Sequence, residues 1–319
     1  MKVGIIGGAG YTAGELLRIL LNHPEAEIAF VNSSSNAGNL ITDVHGGLLG
    51  ETDLRFTESC DLNSVDVLFL CSGHGQSSAF WQSHDMPAGL KVIDLAQDYR
   101  DESCGYVYGL PEVNRRRISD AGRVANPGCF ATAIQLALLP LAANGYLKGE
   151  VHVTAVTGST GAGVKPSATT HFSWRSDNMS VYKAFEHQHL AEIRRTLCTL
   201  QPDFSADINF VPVRGDFARG IFASVYTDCD LTQDEATELY KNYYSDSPFA
   251  VVSDNPVDLK QAVNTNKAII RPEKHGRKLL IVSAIDNLLK GASGQAVENM
   301  NLMFGLDETC GLRLKPSAF

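Results

Sequence analysis

The chain has 319 residues, 44% of them hydrophobic and 20% charged, which fits a folded globular protein of two domains and excludes a disordered one. Its 27 Lys and Arg against 36 Asp and Glu give a formal charge of −9, and with no basic run beyond NRRR at 114–117, nucleic acid and anionic membrane are excluded as partners. Seven cysteines, at 60, 71, 104, 129, 198, 229 and 310, are scattered and never in a C-x-x-C arrangement, so neither a disulfide framework nor a metal site is expected.

MKVGIIGGAG at the N-terminus runs straight into a strand and turn without a cleavable signal, and no stretch has transmembrane length; the expected location is the cytoplasm. KVGIIG (2–7) reads as a strand, GGAG breaks it, ELLRILLNH (15–23) has helical apolar spacing ending at Pro24, and EIAFVNSSS (27–35) is the next strand. Further strands are expected at 65–72 and 91–96, separated by helices or loops. The opening is thus a doubly wound α/β domain with a mostly parallel sheet. Beyond the apolar helix that begins at Cys129 the pattern changes. Residues 150–158, 206–213, 220–229 and 278–286 are strand-like and partly alternating, which predicts a second, α+β domain on an open mixed or antiparallel sheet. GASGQAVENMNLMFGL (291–306) is helical again and is expected to return to the first domain.

Strand, GGAGYTAG (7–14) and helix together are a dinucleotide-binding context. Gly7 permits the tight turn, Gly10 lets backbone approach a pyrophosphate, and the helix start offers N–H donors. The second strand ends in VNSSSNAG (31–38) with no carboxylate to hold ribose hydroxyls. Small polar side chains such as Ser33 and Ser35 tolerate a 2′-phosphate, so NADP is expected over NAD, although no arginine or lysine lies close by in the sequence and NAD stays open.

Cys129, in VANPGCFATAIQLALLPL (124–141), stands at the first turn of a helix. Unpaired backbone N–H groups there favour a thiolate, whereas a cysteine deeper in such a helix would merely pack. A proton-moving partner is expected from AFEHQHLAEIRR (184–195), where His187 and His189 flank a glutamine at a helix start. On a helix an i, i+2 pair splays apart, so the two are not expected to act equally. TGSTGAGVKPS (157–167) is spaced like an anion-cradling loop, and Lys165, Arg214 and Arg219 are the candidate cations for an anionic substrate. His74, in CSGHGQS, is a further candidate near a strand end.

VGIIGGAGYTAGELLRIL (3–20), DLAQDYR (94–100), YGLPEVNR (108–115), NPGCFATA (126–133), GSTGAG (158–163), HQH (187–189) and VSAIDNLLKGASGQAVENMNLMFGL (282–306) together resemble the N-acyl-gamma-glutamyl-phosphate reductases of arginine biosynthesis, within the wider aspartate-semialdehyde dehydrogenase group, over nearly the whole chain. The resemblance implies a Rossmann-type domain at 1–128 plus 291–319 and a catalytic, substrate and oligomerisation domain at 129–290. It also implies an NADPH-dependent reduction of an N-acyl-gamma-glutamyl phosphate to its semialdehyde. In that chemistry Cys129 attacks the acyl phosphate carbonyl, phosphate leaves, and the resulting thioester accepts a hydride. His187 takes the acid/base role, and the backbone at the Cys129 helix start stabilises the oxyanion. Ser159, His189 and Arg219 meet substrate; Gly7, Gly10, Tyr11, Thr12, Ser33, Ser35, Gly161, Asn287 and Lys290 meet the cofactor; no metal is involved. A homodimer or tetramer is implied. The chain departs from the family pattern at Ser34, where an arginine usually stands, at Ala191, where a proline does, and in offering both Arg214 and Arg219 near the substrate; Arg219, which precedes Gly-Ile, is favoured. The acyl group, acetyl or a larger one such as succinyl, is not legible. Two alternatives are aspartate-semialdehyde dehydrogenase, which HQH and KGASGQA oppose, and a non-catalytic nucleotide-binding regulator, which intact Cys129 and His187 oppose.

Overall fold

The first apolar run becomes strand β1, Lys2–Ile6, buried on both faces after its first residue, as a central strand of a parallel sheet requires. The computed structural model describes residues 1–73 and 75–317; His74 lies outside the described residues. The chain divides into two units, the first made of residues 1–127 and 292–313, the second of 128–291 and the segment from 314 onward.

In the first unit β1 is joined by β2 (Glu27–Asn32), β3 (Phe56–Thr57), β4 (Val67–Leu70), β5 (Lys91–Asp94), β6 (Val107–Tyr108) and β7 (Arg123–Ala125). The strand order is β3-β2-β1-β4-β5-β7-β6, and every neighbouring pair is parallel. This is the doubly wound sheet expected from the sequence. Its order reverses between β1 and β4, so the crevice for a ligand opens at the carboxyl end of β1, where the glycine turn stands. Helix α1 spans Tyr11–Leu20, four residues earlier than apolar spacing alone suggested, because the extended Gly10 already serves as its N-cap. Helices α2 (Gln76–Ser83) and α3 (Pro111–Ser119) follow. The C-terminal helix Gly294–Met303 packs in this unit against α1, α3 and β5 and is buried along its whole length. Two of its asparagines are anchored through their amide nitrogens: Asn299 Nδ2 donates to Gly109 O (2.9 Å) and Asn126 Oδ1 (3.1 Å), and Asn301 Nδ2 to the carbonyls of Glu308 and Cys310.

The second unit is built on a mixed sheet of β8 (Val151–Thr157), β9 (Ser180–Val181), β10 (Ile208–Arg214), β11 (Ile221–Asp228), β12 (Ala250–Val252), β13 (Ala268–His275) and β14 (Lys278–Ile285). The order is β12-β13-β14-β11-β8-β10-β9; β8 and β10 run parallel and β11 and β14 antiparallel to their neighbours. Helices α4 (Cys129–Ala143), α5 (Phe172–Arg175), α6 (His189–Leu200) and α7 (Gln233–Tyr243) complete it. Five of these elements, β9, β12, β13, α5 and α7, were not expected. Strand β13 is interrupted in sequence by Pro272, which usually argues against an interior strand, and α7 shows only a Thr232–Glu235 capping box.

Residues 130–142 of α4 are all buried, against α6, β11 and β14 among others. Pro140 inside the helix lacks the N–H that would bond the Leu136 carbonyl. Tyr244 Oη, at the C-cap of α7, donates to Leu136 O and so replaces the hydrogen bond that the proline removes, and Tyr240 Oη donates to the adjacent Ala137 O, both at 2.5 Å. Among the described residues no helix is long and apolar enough to cross a membrane, and no group of three or more His, Cys, Asp or Glu is placed to hold a metal ion.

Candidate active site

Cys129 is the first residue of α4, after an extended Gly128 N-cap that provides no side-chain cap. The half-buried thiol therefore stands at the positive end of a fifteen-residue helix, where a thiolate is stabilised. Two glycines let other groups approach it. A Cβ on Gly128 would lie 2.3 Å from His189 Nε2, and one on Gly291 2.9 Å from Cys129 Cβ; neither position accommodates a larger residue without displacement.

His189 opens α6, and Glu192 follows one turn later. The Glu192 carboxylate accepts the Gly128 N–H (Oε2, 3.1 Å), and its Oε1 lies 4.0 Å from His189 Nε2, tying the residue before the nucleophile to the histidine helix. His187 is not in the helix. Its ring meets that of His189 at a centroid distance of 4.5 Å, and its Nδ1 accepts the His189 N–H at 3.2 Å. The expectation that the two histidines splay apart is thus overturned, because one precedes α6 and turns back over its first residue. With Nδ1 engaged as acceptor, a neutral His187 carries its proton on Nε2. Burial, reinforced by the charge of Lys183, lowers its pKa to about 4, so the ring is neutral at physiological pH. Phe130, Phe210 and Tyr182 surround it edge-on at 5.4, 5.4 and 5.9 Å.

The segment leading into this pair carries strain. Lys183 (φ 46) and Phe185 (φ 62) have left-handed backbones, each costing on the order of 1 kcal/mol. Bonds from Tyr182 N to Pro212 O and from Phe185 N to Phe210 O pin the segment to β10. Tyr182 is held protonated, its pKa pushed up to about 12, first by burial and then by the negative charge of the Cys129 thiolate, while Arg214 opposes both. The Arg214 guanidinium carbon lies 4.8 Å from the Tyr182 ring centroid.

Arg219 is placed differently. Its Nε and Nη2 donate to Asp286 Oδ2 (3.1 Å) and Oδ1 (3.2 Å), and the fully buried Asp286 also accepts backbone N–H groups of Asn264, Leu288 and Leu289. Such a pair, with a fully buried carboxylate and a part-exposed guanidinium, is a folding element. Asn287, expected at the cofactor, uses both ends of its amide within the unit, accepting from Gly220 N (2.6 Å) and donating to Thr160 Oγ1 (3.0 Å); it holds the Ser159–Ala162 turn in place. Ser159 and Gly161 lie on that turn, where a Cβ on Gly161 would meet nothing closer than 3.4 Å. Lys290, also expected at the cofactor, is instead fully buried with its ammonium 5.7 Å from the Phe249 ring centroid, a position with no surface to offer a ligand. Tyr182, Glu192, Asp286 and Gly291 went unrecognised in the sequence; only Glu192, three residues beyond His189, had a readable helical spacing.

In the first unit the glycine turn fits a dinucleotide. Gly7 has φ 78, Gly10 caps α1 without a side-chain bond to its N–H groups, and a Cβ on Gly10 would meet nothing closer than 3.8 Å, leaving backbone donors open to a pyrophosphate. Tyr11 is 41% exposed, and Thr12 O accepts from Ser293 Oγ at 2.7 Å, so the segment before the C-terminal helix lies beside the turn. Beyond β2, Asn36 Nδ2 donates to the hydroxyls of Ser33 (3.3 Å) and Ser35 (3.0 Å). Arg55 Nη1 donates to Gly38 O at 2.8 Å, so a guanidinium invisible to local sequence stands by this turn.

Two family models match the chain: semialdehyde dehydrogenase, NAD binding domain, over residues 2–121, and semialdehyde dehydrogenase, dimerisation domain, over residues 129–287. The N-acetyl-gamma-glutamyl-phosphate reductases of Parabacteroides distasonis and Bacteroides thetaiotaomicron are each 62% identical over 321 residues, covering 100% of both chains. Among solved structures, aspartate semialdehyde dehydrogenase II from Vibrio cholerae superposes with a TM-score of 0.74 at 18% identity, covering 95% of this chain and 98% of that one; it shares the fold.

Proposed function

The chain belongs to the N-acetyl-gamma-glutamyl-phosphate reductase family within the semialdehyde dehydrogenases, and on that premise we propose that it reduces an N-acyl-gamma-glutamyl phosphate to the N-acyl-glutamate semialdehyde with release of phosphate. The observation that carries this reading is Cys129 at an uncapped helix start among His187, His189 and Tyr182.

In this reading the Cys129 thiolate, stabilised by the α4 dipole, attacks the acyl carbonyl. The C–S bond forms, the C–O bond to phosphate breaks with its electron pair leaving on phosphate, and a thioester remains. Backbone N–H groups at the start of α4 and the Nε2–H of His187 donate to the carbonyl oxygen as it gains charge. A neutral imidazole with a pKa of about 4 serves as a hydrogen-bond donor rather than as a proton store, so the acid/base role expected for His187 is narrowed to polarising the acyl group. His189, ordered by Glu192 and packed on Gly128, is the neighbour that shapes the nucleophile's turn. A nicotinamide cofactor bound at the glycine turn supplies the hydride. Collapse of the tetrahedral adduct then expels the thiolate, which the helix start again stabilises.

NADP is the favoured cofactor: β2 ends without a carboxylate, Ser33, Ser35 and Asn36 form a small polar cluster, and Arg55 brings positive charge. Gly7, Gly10, Tyr11 and Thr12 are its proposed backbone and turn contacts. Self-association, as a dimer or tetramer, is assigned to the second unit, which exposes Phe172, Met179, Val181 and Phe185 and matches the dimerisation domain.

Phosphate-dependent reduction of NADP by N-acetylglutamate semialdehyde, with the N-succinyl analogue and NAD run in parallel, tests the assignment. Activity is expected in the wild type and a loss of at least about a thousandfold in Cys129→Ser. A serine variant with near wild-type turnover would remove the covalent mechanism, and cofactor binding without turnover of either aldehyde would remove the substrate assignment.

A further inference from the structure

The substrate proposed above carries an α-carboxylate through both chemical steps, and a buried or half-buried carboxylate requires a cation to receive it. Of the cations around the Cys129 cluster most are already committed. Arg219 is held bidentate by Asp286, and Lys290 is fully buried. Arg175 spends its donors on the carbonyls of Thr169, Asn178 and Arg214 and on Ser180 Oγ. Lys183 donates to the neutral Gln188 Oε1 at 3.2 Å and is exposed to solvent, where screening weakens it.

Arg214 differs from all of these. It ends β10, its backbone paired with Thr157 at the end of the parallel β8 and with Ser180 of β9, so it stands beside the Gly158–Ser159 turn at the carboxyl ends of two parallel strands, where ligands of such sheets bind. Its buried Nε has no hydrogen-bond partner among the described residues. Its guanidinium lies on the Tyr182 ring, and Tyr182 in turn abuts His187. Arg214 also shares a side-chain hydrogen bond with Tyr182, which fixes the guanidinium, and its unpartnered Nε leaves the Nε edge for a planar acceptor such as a carboxylate.

Resting on that reading of the substrate, we propose that Arg214, braced by Tyr182, receives the α-carboxylate and determines substrate specificity, while Arg219 is a structural partner of Asp286. This reverses the choice favoured by the sequence, where Arg219 precedes Gly-Ile.

The test compares N-acetylglutamate semialdehyde with the same aldehyde bearing an α-carboxamide, in phosphate-dependent reduction of NADP, for wild type, Arg214→Met, Arg214→Lys and Arg219→Met. The wild type is expected to prefer the carboxylate by about a hundredfold in kcat/KM. Arg214→Met brings that preference to near unity by losing activity on the acid while retaining that on the amide. Arg214→Lys keeps part of the preference, and Arg219→Met keeps it in whatever fraction folds. NADPH binding followed by fluorescence and the KM for phosphate stay unchanged in the Arg214 variants. Equal losses on both aldehydes in Arg214→Met, a raised phosphate KM with the preference intact, or loss of the preference in Arg219→Met would each overturn the assignment. A wild type that binds NADPH but oxidises neither aldehyde instead overturns the substrate reading itself.

Discussion

Between pH 6.5 and 4 the unfolded chain takes up a proton at residue 187 that the folded chain refuses, because burial and Lys183 hold the folded imidazole near 4. The unfolded state then binds more protons, so stability falls as the pH drops through this window and is untouched by this residue above it. The contribution reaches about 3 kcal/mol by pH 4. Urea unfolding at pH 7 and pH 4.5 is expected to show a smaller acid loss in His187→Gln than in wild type; equal losses would mean that the folded imidazole titrates normally. Asp94 acts in the opposite sense in the first unit: its pKa, raised to about 6 chiefly by burial, makes its protonated form favour folding as pH falls from 6 towards 3.8, so only the comparison between variants isolates His187. At Arg219 the expected effect is larger. Removing the guanidinium leaves the Asp286 carboxylate buried without its countercharge, and Arg219→Met should cost about 3 kcal/mol or more of unfolding free energy. Adding Asp286→Asn should recover part of that loss; no recovery would show that the pair is not coupled.

Helix α4 illustrates how an element carries its own defect. Its sequence is apolar on all sides, so it is buried on all sides, and Pro140 leaves the Leu136 carbonyl without its helical donor, which a buried environment does not tolerate. Tyr244→Phe keeps the ring and removes the donor to Leu136 O, with an expected cost of about 1–2 kcal/mol in denaturant unfolding. A neutral substitution would show that the helix relaxes to satisfy the carbonyl otherwise. The same element sets the chemistry at its other end, since the uncapped Gly128 that starts it is what places Cys129 at the dipole.

At the scale of the molecule, each unit has its own sheet, and the first is completed by residues far away in sequence, the C-terminal helix at Gly294–Met303. The second unit exposes Phe172 at 81% and Phe185 at 61%, more apolar surface than an isolated unit favours. Light scattering behind size exclusion is expected to give a multiple of the 34.5 kDa chain mass, and Phe172→Ser with Met179→Ser to shift it downwards. A wild-type monomer would refute self-association.

Local pattern alone determined the two kinds of sheet, the glycine turn at 7–14 and the start of α4 at Cys129. Apolar periodicity, a Pro-Gly break and glycine spacing act over a few residues and need no distant partner to be read. The short strands β3, β6, β7 and β9 and the proline-bearing β13 were decided by pairing with remote neighbours, because two or three residues carry too little propensity of their own. The site divides along the same line. Cys129 and the histidine pair were legible from residue type and context. The tautomer and low pKa of His187, the approach of Glu192 to Gly128 and the contrast between Arg219, held by Asp286, and Arg214, with its unpartnered Nε, were not. Each depends on which charge, ring or carbonyl tertiary folding brings within a few ångströms, and electrostatic and hydrogen-bond energies are set by that distance and burial rather than by position along the chain.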